Sequence, residues 1–272
     1  LQEKLHRVFH QYGFEDIETP TFEYFEVFSK EVGTIPSRDL YKFFDREGNT
    51  LVLRPDFTPS VSRACATYFN PEKEVVSLCY TGNTFINNSS FRGRLKETTQ
   101  MGVERMGDDS PEADAEILAM TVECLLATGL TEFQVSVGQV DYYKAIFAQT
   151  GLSQEEEEEL RELISQKNYF GVEELVKNKN MDKSLARVLS QLPQMFGSTE
   201  VLEKAKSLTD NPQALKAVAR LEEIYELLKV YGYEKYVTFD FAMLSKYHYY
   251  TGIIFQAYTY GTGEALIKGG RY

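Results

Sequence analysis

The residues with the clearest potential for chemistry lie in a tyrosine-rich segment near the C-terminal end of the sequence. Residues 244–255 read Leu-Ser-Lys-Tyr-His-Tyr-Tyr-Thr-Gly-Ile-Ile-Phe, and residues 269–272 read Gly-Gly-Arg-Tyr. Aromatic and β-branched residues favour strands, and a buried tyrosine hydroxyl needs a hydrogen-bond partner. We therefore expect this segment to form a strand that directs tyrosine hydroxyls into a cleft.

A second polar pattern lies in residues 97–104. In a strand, Thr98, Gln100, Gly102 and Glu104 share one face because side chains alternate with a period of two. Gly102 leaves room above the sheet between two polar side chains. Taken alone, the pattern is more typical of an exposed polar strand face than of a binding surface. Together with the other segments below, it favours a binding surface.

Metal chemistry is not predicted from the sequence. Cys65, Cys79 and Cys124 have no CxxC spacing, and they are interpreted as buried thiols in a reducing compartment. His248 lies beside two tyrosines, but no second histidine or cysteine is close to it in the sequence. We therefore expect no metal site and no cofactor.

The composition limits the classes of function. The chain has 272 residues, of which 43% are hydrophobic, so it can bury a sizeable core. Acidic residues outnumber basic ones by 41 to 29, which gives a formal net charge of −12. Nucleic-acid-binding proteins usually carry a basic surface, so no tRNA partner is predicted. The sequence has no apolar run of membrane-spanning length and no Gly-rich phosphate loop, and we expect a soluble cytoplasmic protein without a membrane partner.

Helices and strands must position these residues. Residues 14–23 alternate around Pro20 and predict an extended edge segment. Ser110 and Pro111 are typical of a helix start, and Gly129 of its end. Other patterns of apolar residues predict helices at 1–12 and 56–68 and strands at 51–54, 75–85, 97–104, 133–137 and 236–240.

Residues 151–228 differ from the rest, because they combine charged helical sequence with regularly spaced leucine and valine. They predict a helical insertion, and the acidic run 155–159 is interpreted as its solvated face. Strands interrupted by helices, without regular βαβ alternation, indicate an α+β fold on a mostly antiparallel β-sheet flanked by helices. We expect one domain over residues 1–272, with the insertion inside it.

Several separated motifs resemble the histidyl-tRNA synthetases, which are class II aminoacyl-tRNA synthetases. Residues 19–23, Thr-Pro-Thr-Phe-Glu, resemble the class II dimer-interface motif, and residues 53–58, 80–85 and 100–104 resemble the second motif region. Residues 249–252 and 269–272 resemble the histidine-specific segment. The resemblance implies a class II synthetase-like catalytic-domain fold and a two-fold homodimer that associates through Pro20.

The resemblance also implies a histidine-binding pocket. In that pocket Asp56 and Gln100 would receive the α-ammonium group, while Glu104 and Tyr250 would hold opposite nitrogens of the imidazole. Tyr272 would act as a lid. The full set of positions that match the pocket is Asp56, Thr58, Gln100, Glu104, Tyr249, Tyr250 and Tyr272.

The sequence departs from the synthetases where they bind phosphate. Ile86 stands in place of an Arg that grips the α-phosphate of ATP, and Asn88 in place of an ATP-contacting Glu. Ser245 aligns with the Arg that stabilises the adenylation transition state, and His248 with an Asp. Ile and Ser offer no charged bidentate donor, and losing one transition-state donor typically costs roughly 10²–10³ in rate. No catalytic residue is therefore predicted.

A synthetase-like fold that keeps the histidine pocket and lacks ATP chemistry resembles the regulatory subunits of ATP phosphoribosyltransferase. The resemblance implies a non-catalytic partner of the short-form catalytic subunit. It would be required for activity and for feedback control by L-histidine at the first step of histidine biosynthesis. The homodimer would then belong to a hetero-oligomer. Two alternatives stay open, namely a divergent histidyl-tRNA synthetase catalytic domain and a dimerisation platform without a ligand.

Overall fold

The protein is described by a computed structural model that covers residues 1–29, 35–88, 95–244 and 250–272. The chain divides into two compact units, Leu1–Asp109 and Ser110–Tyr272. Each unit has its own sheets and its own cluster of buried apolar residues. The single domain expected over residues 1–272 stays a prediction.

The first unit contains three α-helices and six strands in its described residues. They are α1 (Gln2–Gln11), β1 (Glu15–Asp16), β2 (Phe22–Tyr24), α2 (Glu26–Ser29), β3 (Lys42–Phe44), β4 (Thr50–Leu53), α3 (Thr58–Tyr68), β5 (Val76–Phe85) and β6 (Glu97–Met106). Helix α1 is followed by Gly13, whose φ of +78° lies in the left-handed region that glycine favours. The chain thereby turns from α1 into β1, and the helix predicted over residues 1–12 is confirmed.

Strands β5 and β6 form the central pair of the first unit. They are antiparallel, and their register runs from Val76 opposite Met106 to Phe85 opposite Glu97. Strand β1 pairs in parallel with the other side of β5. Helix α3 covers one face of this sheet, where its apolar residues pack with Leu78 and Tyr80. Residues 14–23 contribute edge strands, as the sequence predicts.

A smaller sheet of the first unit has the strand order β2-β4-β3. One of its faces is buried, because Val52 packs with Phe28 and Leu40. Its other face carries the exposed side chains of Phe22, Tyr24 and Phe43, and the rings of Phe22 and Phe43 meet edge to face with centroids 5.7 Å apart. An exposed aromatic face of this kind is typical of an association surface.

The second unit combines a five-stranded sheet with a larger set of helices. Its elements are α4 (Pro111–Thr128), β7 (Phe133–Gln139), α5 (Val140–Phe147), α6 (Gln154–Ser165), α7 (Tyr169–Asn178), α8 (Lys183–Gln191), β8 (Phe196–Gly197), α9 (Glu200–Ser207), α10 (Pro212–Tyr231), β9 (Val237–Asp240), β10 (Ile253–Thr259) and β11 (Ile267–Gly270). The strand order is β11-β10-β7-β9-β8. Strand β7 is central and fully buried along Val135 and Val137.

The local signals in the sequence explain where the helices of the second unit begin and end. The Ser110 hydroxyl accepts a hydrogen bond from the backbone N–H of Ala113 at 3.1 Å, and Gly129 ends α4 with a φ of +96°. Helix α6 begins with a capping box between Ser153 and Glu156. Much of the acidic run 155–159 is exposed, as expected for a solvated helix face.

Helices α6 to α10 lie within residues 154–231, and the insertion expected over residues 151–228 stays a prediction. They bury regularly spaced apolar residues, among them Leu160, Val188 and Leu221. Pairing is antiparallel throughout the described strands except between β1 and β5 and between β7 and β9. The predicted α+β class is confirmed. Across the described ranges, no helix is both long enough and apolar enough to cross a bilayer.

Candidate functional site

The polar face of β6 lies against the start of α3. Gln100, Gly102 and Glu104 share that face with Tyr80 of β5, since Tyr80 is the register partner of Gly102. Asp56 precedes α3 and Thr58 is its first residue. The structure therefore brings together the four site residues that the sequence predicts in the first unit.

Glu104 is a buried carboxylate, with 7% of the residue exposed. Its Oε1 accepts a hydrogen bond from the Thr58 hydroxyl at 2.7 Å and a longer one from the Tyr80 hydroxyl at 3.4 Å. Hydroxyls are neutral donors that rotate to suit their surroundings. A buried carboxylate held by such donors is well suited to accept a further hydrogen bond from a ligand N–H group.

Asp56 is the second carboxylate of this group, and it is partly buried. Its Oδ1 accepts a hydrogen bond from the backbone N–H of Phe57 at 2.7 Å and one from the Gln100 side-chain amide at 3.4 Å. Burial raises the pKa of the Asp56 carboxyl, and these hydrogen bonds lower it by less. A cation bound beside Asp56 would offset the cost of keeping that carboxylate charged.

Tyr80 is a residue of this site that the sequence analysis missed. The space that Gly102 leaves is filled by its phenol, because a Cβ at Gly102 would lie 2.3 Å from the Tyr80 hydroxyl oxygen. The Tyr80 ring stacks on Phe57, with centroids 4.4 Å apart. Both residues can be assigned to strands from the sequence. That Tyr80 lies directly opposite Gly102 follows only from the β5–β6 register.

Arg54 contacts the same region through backbone carbonyl groups and the ring of Phe57. Its guanidinium donates hydrogen bonds to the carbonyl oxygens of Asn83 at 2.8 Å and Thr19 at 2.8 Å, and it lies 4.0 Å from the centroid of the Phe57 ring. Gly82 makes the space for it, because a Cβ there would lie 2.5 Å from Arg54 Nη2. Arg54 is therefore a positioning residue for the segment that carries Asp56.

The second unit contains the predicted tyrosines of the C-terminal segment. Tyr250 is partly buried, and its backbone carbonyl accepts a hydrogen bond from Lys144 Nζ at 2.7 Å. Its ring lies over Gly270, where a Cβ would approach Tyr250 Cε1 to 2.6 Å. Tyr272 follows β11 and is exposed. Tyr249 lies outside the described residues, as do Ser245 and His248.

A buried carboxylate also anchors the C-terminal strand of the second unit. Asp114 on α4 is 5% exposed, and its Oδ1 accepts hydrogen bonds from Arg271 Nε at 3.0 Å and Nη2 at 2.7 Å. Its Oδ2 accepts hydrogen bonds from Arg220 Nε at 2.9 Å and Nη2 at 2.8 Å. The two charge-assisted contacts with Asp114 Oδ1 hold Arg271, the residue between Gly270 and Tyr272. No local pattern in the sequence indicates this contact.

Comparison with known proteins identifies the family. A family model described as histidyl-tRNA synthetase matches residues 1–272. The chain belongs to the histidyl-tRNA synthetase-like family. A relative from Acetivibrio thermocellus, named ATP phosphoribosyltransferase regulatory subunit, is 40% identical over 272 residues, which are 100% of this chain and 65% of the relative. The chain thus spans just under two thirds of that protein's length.

Two solved structures show the synthetase-like fold. One from Bacillus halodurans, described as an ATP phosphoribosyltransferase regulatory subunit/histidyl-tRNA synthetase, is 33% identical with a TM-score of 0.89, covering 100% of this chain and 70% of that one. The other, described as an ATP phosphoribosyl transferase (HisG:HisZ) complex from Thermotoga maritima, is 20% identical with a TM-score of 0.73, covering 99% of this chain and 91% of that one. The predicted class II synthetase-like fold is confirmed.

Within this synthetase-like chain, two positions expected to differ from the synthetases lie just beyond β5. The backbone N–H of Ile86 donates to the Lys96 carbonyl at 2.9 Å, and its side chain is hydrocarbon only. The side-chain amide of Asn88 donates to the Leu95 carbonyl at 3.4 Å. Neither side chain carries a charge that could pair with a phosphate.

Proposed function

We propose that this chain is the synthetase-like part of a regulatory subunit of ATP phosphoribosyltransferase. In this role it does no chemistry itself. It partners the short-form catalytic subunit, is required for that subunit's activity, and relays feedback inhibition by L-histidine at the first step of histidine biosynthesis. Support comes from the 40% identity to a protein named as such a subunit and from the fold shared with the Thermotoga maritima complex.

The observation that carries the histidine part of the proposal is the pair of carboxylates beside β6. Asp56 and Gln100 offer an acidic and an amide oxygen suited to an α-ammonium group, and Glu104 offers an acceptor for an imidazole N–H. The 2.7 Å bond from Thr58 to Glu104 holds that acceptor in place. Thr58 is therefore proposed to orient Glu104 rather than to contact histidine.

The tyrosines of the second unit stay part of the proposal as predicted ligand residues. The backbone carbonyl of Tyr250 accepts a hydrogen bond from Lys144, and its ring packs over Gly270, where a side chain would collide with it. Tyr249 and Tyr272 complete the predicted set. Replacing Tyr250 or Tyr272 by Phe keeps the ring and removes the hydroxyl, so each replacement would report whether that hydroxyl takes part in histidine binding.

The absence of catalysis is proposed from Ile86 and Asn88. A synthetase must stabilise negative charge on the phosphates of ATP, and Arg, Lys and Mg²⁺ are the groups that typically clamp phosphates. An aliphatic side chain and a carboxamide are poor substitutes. Pairing a preserved amino-acid site with weakened phosphate contacts fits a protein that binds histidine without activating it.

The decisive experiment is co-purification with the short-form catalytic subunit, followed by phosphoribosyltransferase assays with and without histidine. We expect activity to require both proteins and histidine to lower it, with a coupling free energy of about 1–3 kcal/mol, or roughly 5–150-fold. Calorimetry on the isolated protein and on the complex measures histidine binding directly. Failure to activate the catalytic subunit would refute the regulatory role, whereas activation without histidine binding would refute only the sensor role.

A catalytic alternative is kept because the matching family model is described as histidyl-tRNA synthetase. Histidine-dependent exchange of pyrophosphate into ATP tests it. We expect no exchange above background from the purified protein. Turnover that grows in proportion to protein concentration would overturn the non-catalytic assignment.

We also propose that the protein is a two-fold dimer that associates around Pro20. Pro20 is exposed, and its carbonyl accepts a hydrogen bond from Arg54 Nη1 at 3.3 Å, so the segment is held while its ring stays accessible. It leads directly into β2, whose Phe22 and Tyr24 belong to the exposed aromatic face. Analytical ultracentrifugation should show a dimer at micromolar concentration. A monomer there would contradict the proposal.

A further inference from the structure

Four side chains with metal-ligating atoms converge in the first unit, and the proposed function uses none of them. His6 and His10 lie one turn apart on α1, Asp16 lies on β1 and Cys79 on β5. Their ligating atoms all lie within 4.8 Å of one another. The Asp16 carboxylate is the centre of the group, since Oδ1 is 2.6 Å from His6 Nε2 and Oδ2 is 2.9 Å from His10 Nε2.

The fold explains why these residues meet. Residues four apart on a helix lie on the same face, so both imidazoles of α1 point in one direction. The turn at Gly13 brings β1 back beside α1, and the β1–β5 register places Asp16 directly opposite Cys79. The thiol of Cys79 is then 3.5 Å from Asp16 Oδ1. Because Cys79 and Tyr80 are adjacent in a strand, this group lies on the opposite face of the sheet from Glu104.

The chemistry of the four ligands is selective for a soft or borderline divalent metal. Two imidazoles, a carboxylate and a thiolate form a ligand set typical of Zn²⁺, whereas Mg²⁺ and Ca²⁺ prefer oxygen ligands. Zinc bonds of about 2.0–2.3 Å in a tetrahedron place neighbouring ligand atoms roughly 3.3–3.8 Å apart. Small movements of side chains on the protein surface would reach that geometry from the separations observed.

The group is accessible to an ion from solvent. The side chains of His10 and Asp16 are 48% and 57% exposed, while Cys79 is buried beneath them. His6 and Asp16 also line a cleft of about 390 Å³. Burial and the nearby Asp16 raise the pKa of Cys79 to about 12, so its thiol keeps its proton until a bound cation displaces it.

We propose that His6, His10, Asp16 and Cys79 form a binding site for a zinc ion. On binding, the ion replaces the contacts between Asp16 and the two imidazoles, and the Cys79 proton is released to solvent as the thiolate ligates the metal. The ion fastens α1 to the edge of the β1-β5-β6 sheet. This site is independent of the proposed histidine site, because it uses other residues on the other face of the sheet.

Zinc titration of tag-free protein by calorimetry tests the proposal, with Co²⁺ absorbance as a second readout. We expect one zinc per chain and, with Co²⁺, a thiolate-to-metal charge-transfer band together with tetrahedral d–d bands. Cys79→Ala should abolish the charge-transfer band, while Cys65→Ala, a matched buried cysteine outside the group, should keep it. Retention of the band in Cys79→Ala, or no zinc binding by the parent protein, would overturn the proposal.

Two variants test the site at exposed positions, where a substitution should leave the protein folded. His10→Ala and Asp16→Asn change exposed side chains, and each should weaken zinc binding by at least about 100-fold, because loss of mere supporting groups already costs about 10–100-fold. Glu15→Gln is the control for Asp16→Asn, since it changes the adjacent exposed carboxylate of β1. Equal zinc affinity in Asp16→Asn and Glu15→Gln, with circular dichroism showing both folded, would identify nonspecific surface binding and refute the site.

Discussion

Glu104 in the first unit and Asp114 in the second are buried carboxylates that are similarly inaccessible but differently held. Glu104 accepts hydrogen bonds from the hydroxyls of Thr58 and Tyr80. Asp114 accepts four contacts from the guanidinium groups of Arg220 and Arg271. Two carboxylates of similar burial therefore have chemically different hydrogen-bond donors, namely hydroxyls at Glu104 and guanidinium groups at Asp114.

This difference has a physical basis. A guanidinium fork bound to a carboxylate is rigid and neutralises its charge, so removing one partner leaves buried charge behind. Hydroxyl donors are neutral and rotate, so they can reorient when the carboxylate they contact also binds a ligand. We therefore infer that Asp114 stabilises the second unit, while the proposed role of Glu104 in ligand binding stays a prediction.

The largest effect is expected for Asp114→Ala. Loss of the carboxylate leaves two partly buried arginines facing each other, which should lower the free energy of unfolding by about 3 kcal/mol. Urea denaturation measures it, with Glu112→Gln as the control because Glu112 is exposed in the same helical turn. A loss below about 1 kcal/mol, the range of exposed ion pairs, would mean that Asp114 is not the anchor inferred from the structure.

A smaller effect, measured on ligand binding, is expected for Glu104→Ala. The variant removes the acceptor proposed for the imidazole N–H, and histidine binding should weaken by about 1.5–3 kcal/mol. Calorimetry measures the dissociation constant, with Glu97→Ala as the control because Glu97 is an exposed carboxylate on the same strand. An unchanged dissociation constant would show that Glu104 does not bind histidine. The two carboxylates would then not differ in function.

The smallest effect is expected for Asp56→Asn, and its sign depends on pH. Burial raises the pKa of Asp56, so its contribution to stability is fully present below the ordinary value of 3.8 and is lost as the pH rises through the folded-state pKa. The variant should thus be more stable than the parent near pH 7, with the advantage shrinking towards pH 3.8, while it binds histidine less tightly. Unfolding free energies across this range test it, and a less stable variant near pH 7 would contradict it.

The parts of the molecule that depend on local patterns could be predicted from the sequence. Alternation along residues 97–104 placed Gln100 and Glu104 on one face, and their contacts with Asp56 and Thr58 bear that out. The start of α4 at Ser110 and its end at Gly129 follow from capping chemistry. The family motifs supplied the synthetase-like fold, which local patterns alone would have left as an unspecified α+β class.

The parts that depend on strand register and distant contacts could not be predicted. The sequence predicts a space above Gly102. It does not predict the strand register that puts the Tyr80 side chain into that space. The same holds for Asp114 and Arg271, which lie 157 residues apart, and for Asp16 and Cys79, which lie 63 apart. Cys79 reads as an isolated thiol until the β1–β5 pairing places it beside a carboxylate and two imidazoles.

The central position of β7 has a consequence for the order in which the second unit folds. Its neighbours β9 and β10 follow the long helical region, and Ser136 meets Thr238 across 102 residues of sequence. Contacts between such distant residues form slowly, because the intervening chain must first be closed into a loop. During synthesis the helices of residues 154–231 can therefore pack before the sheet exists. Strand β7 can pair with β9 and β10 only after residues 237–240 and 253–259 have been synthesised.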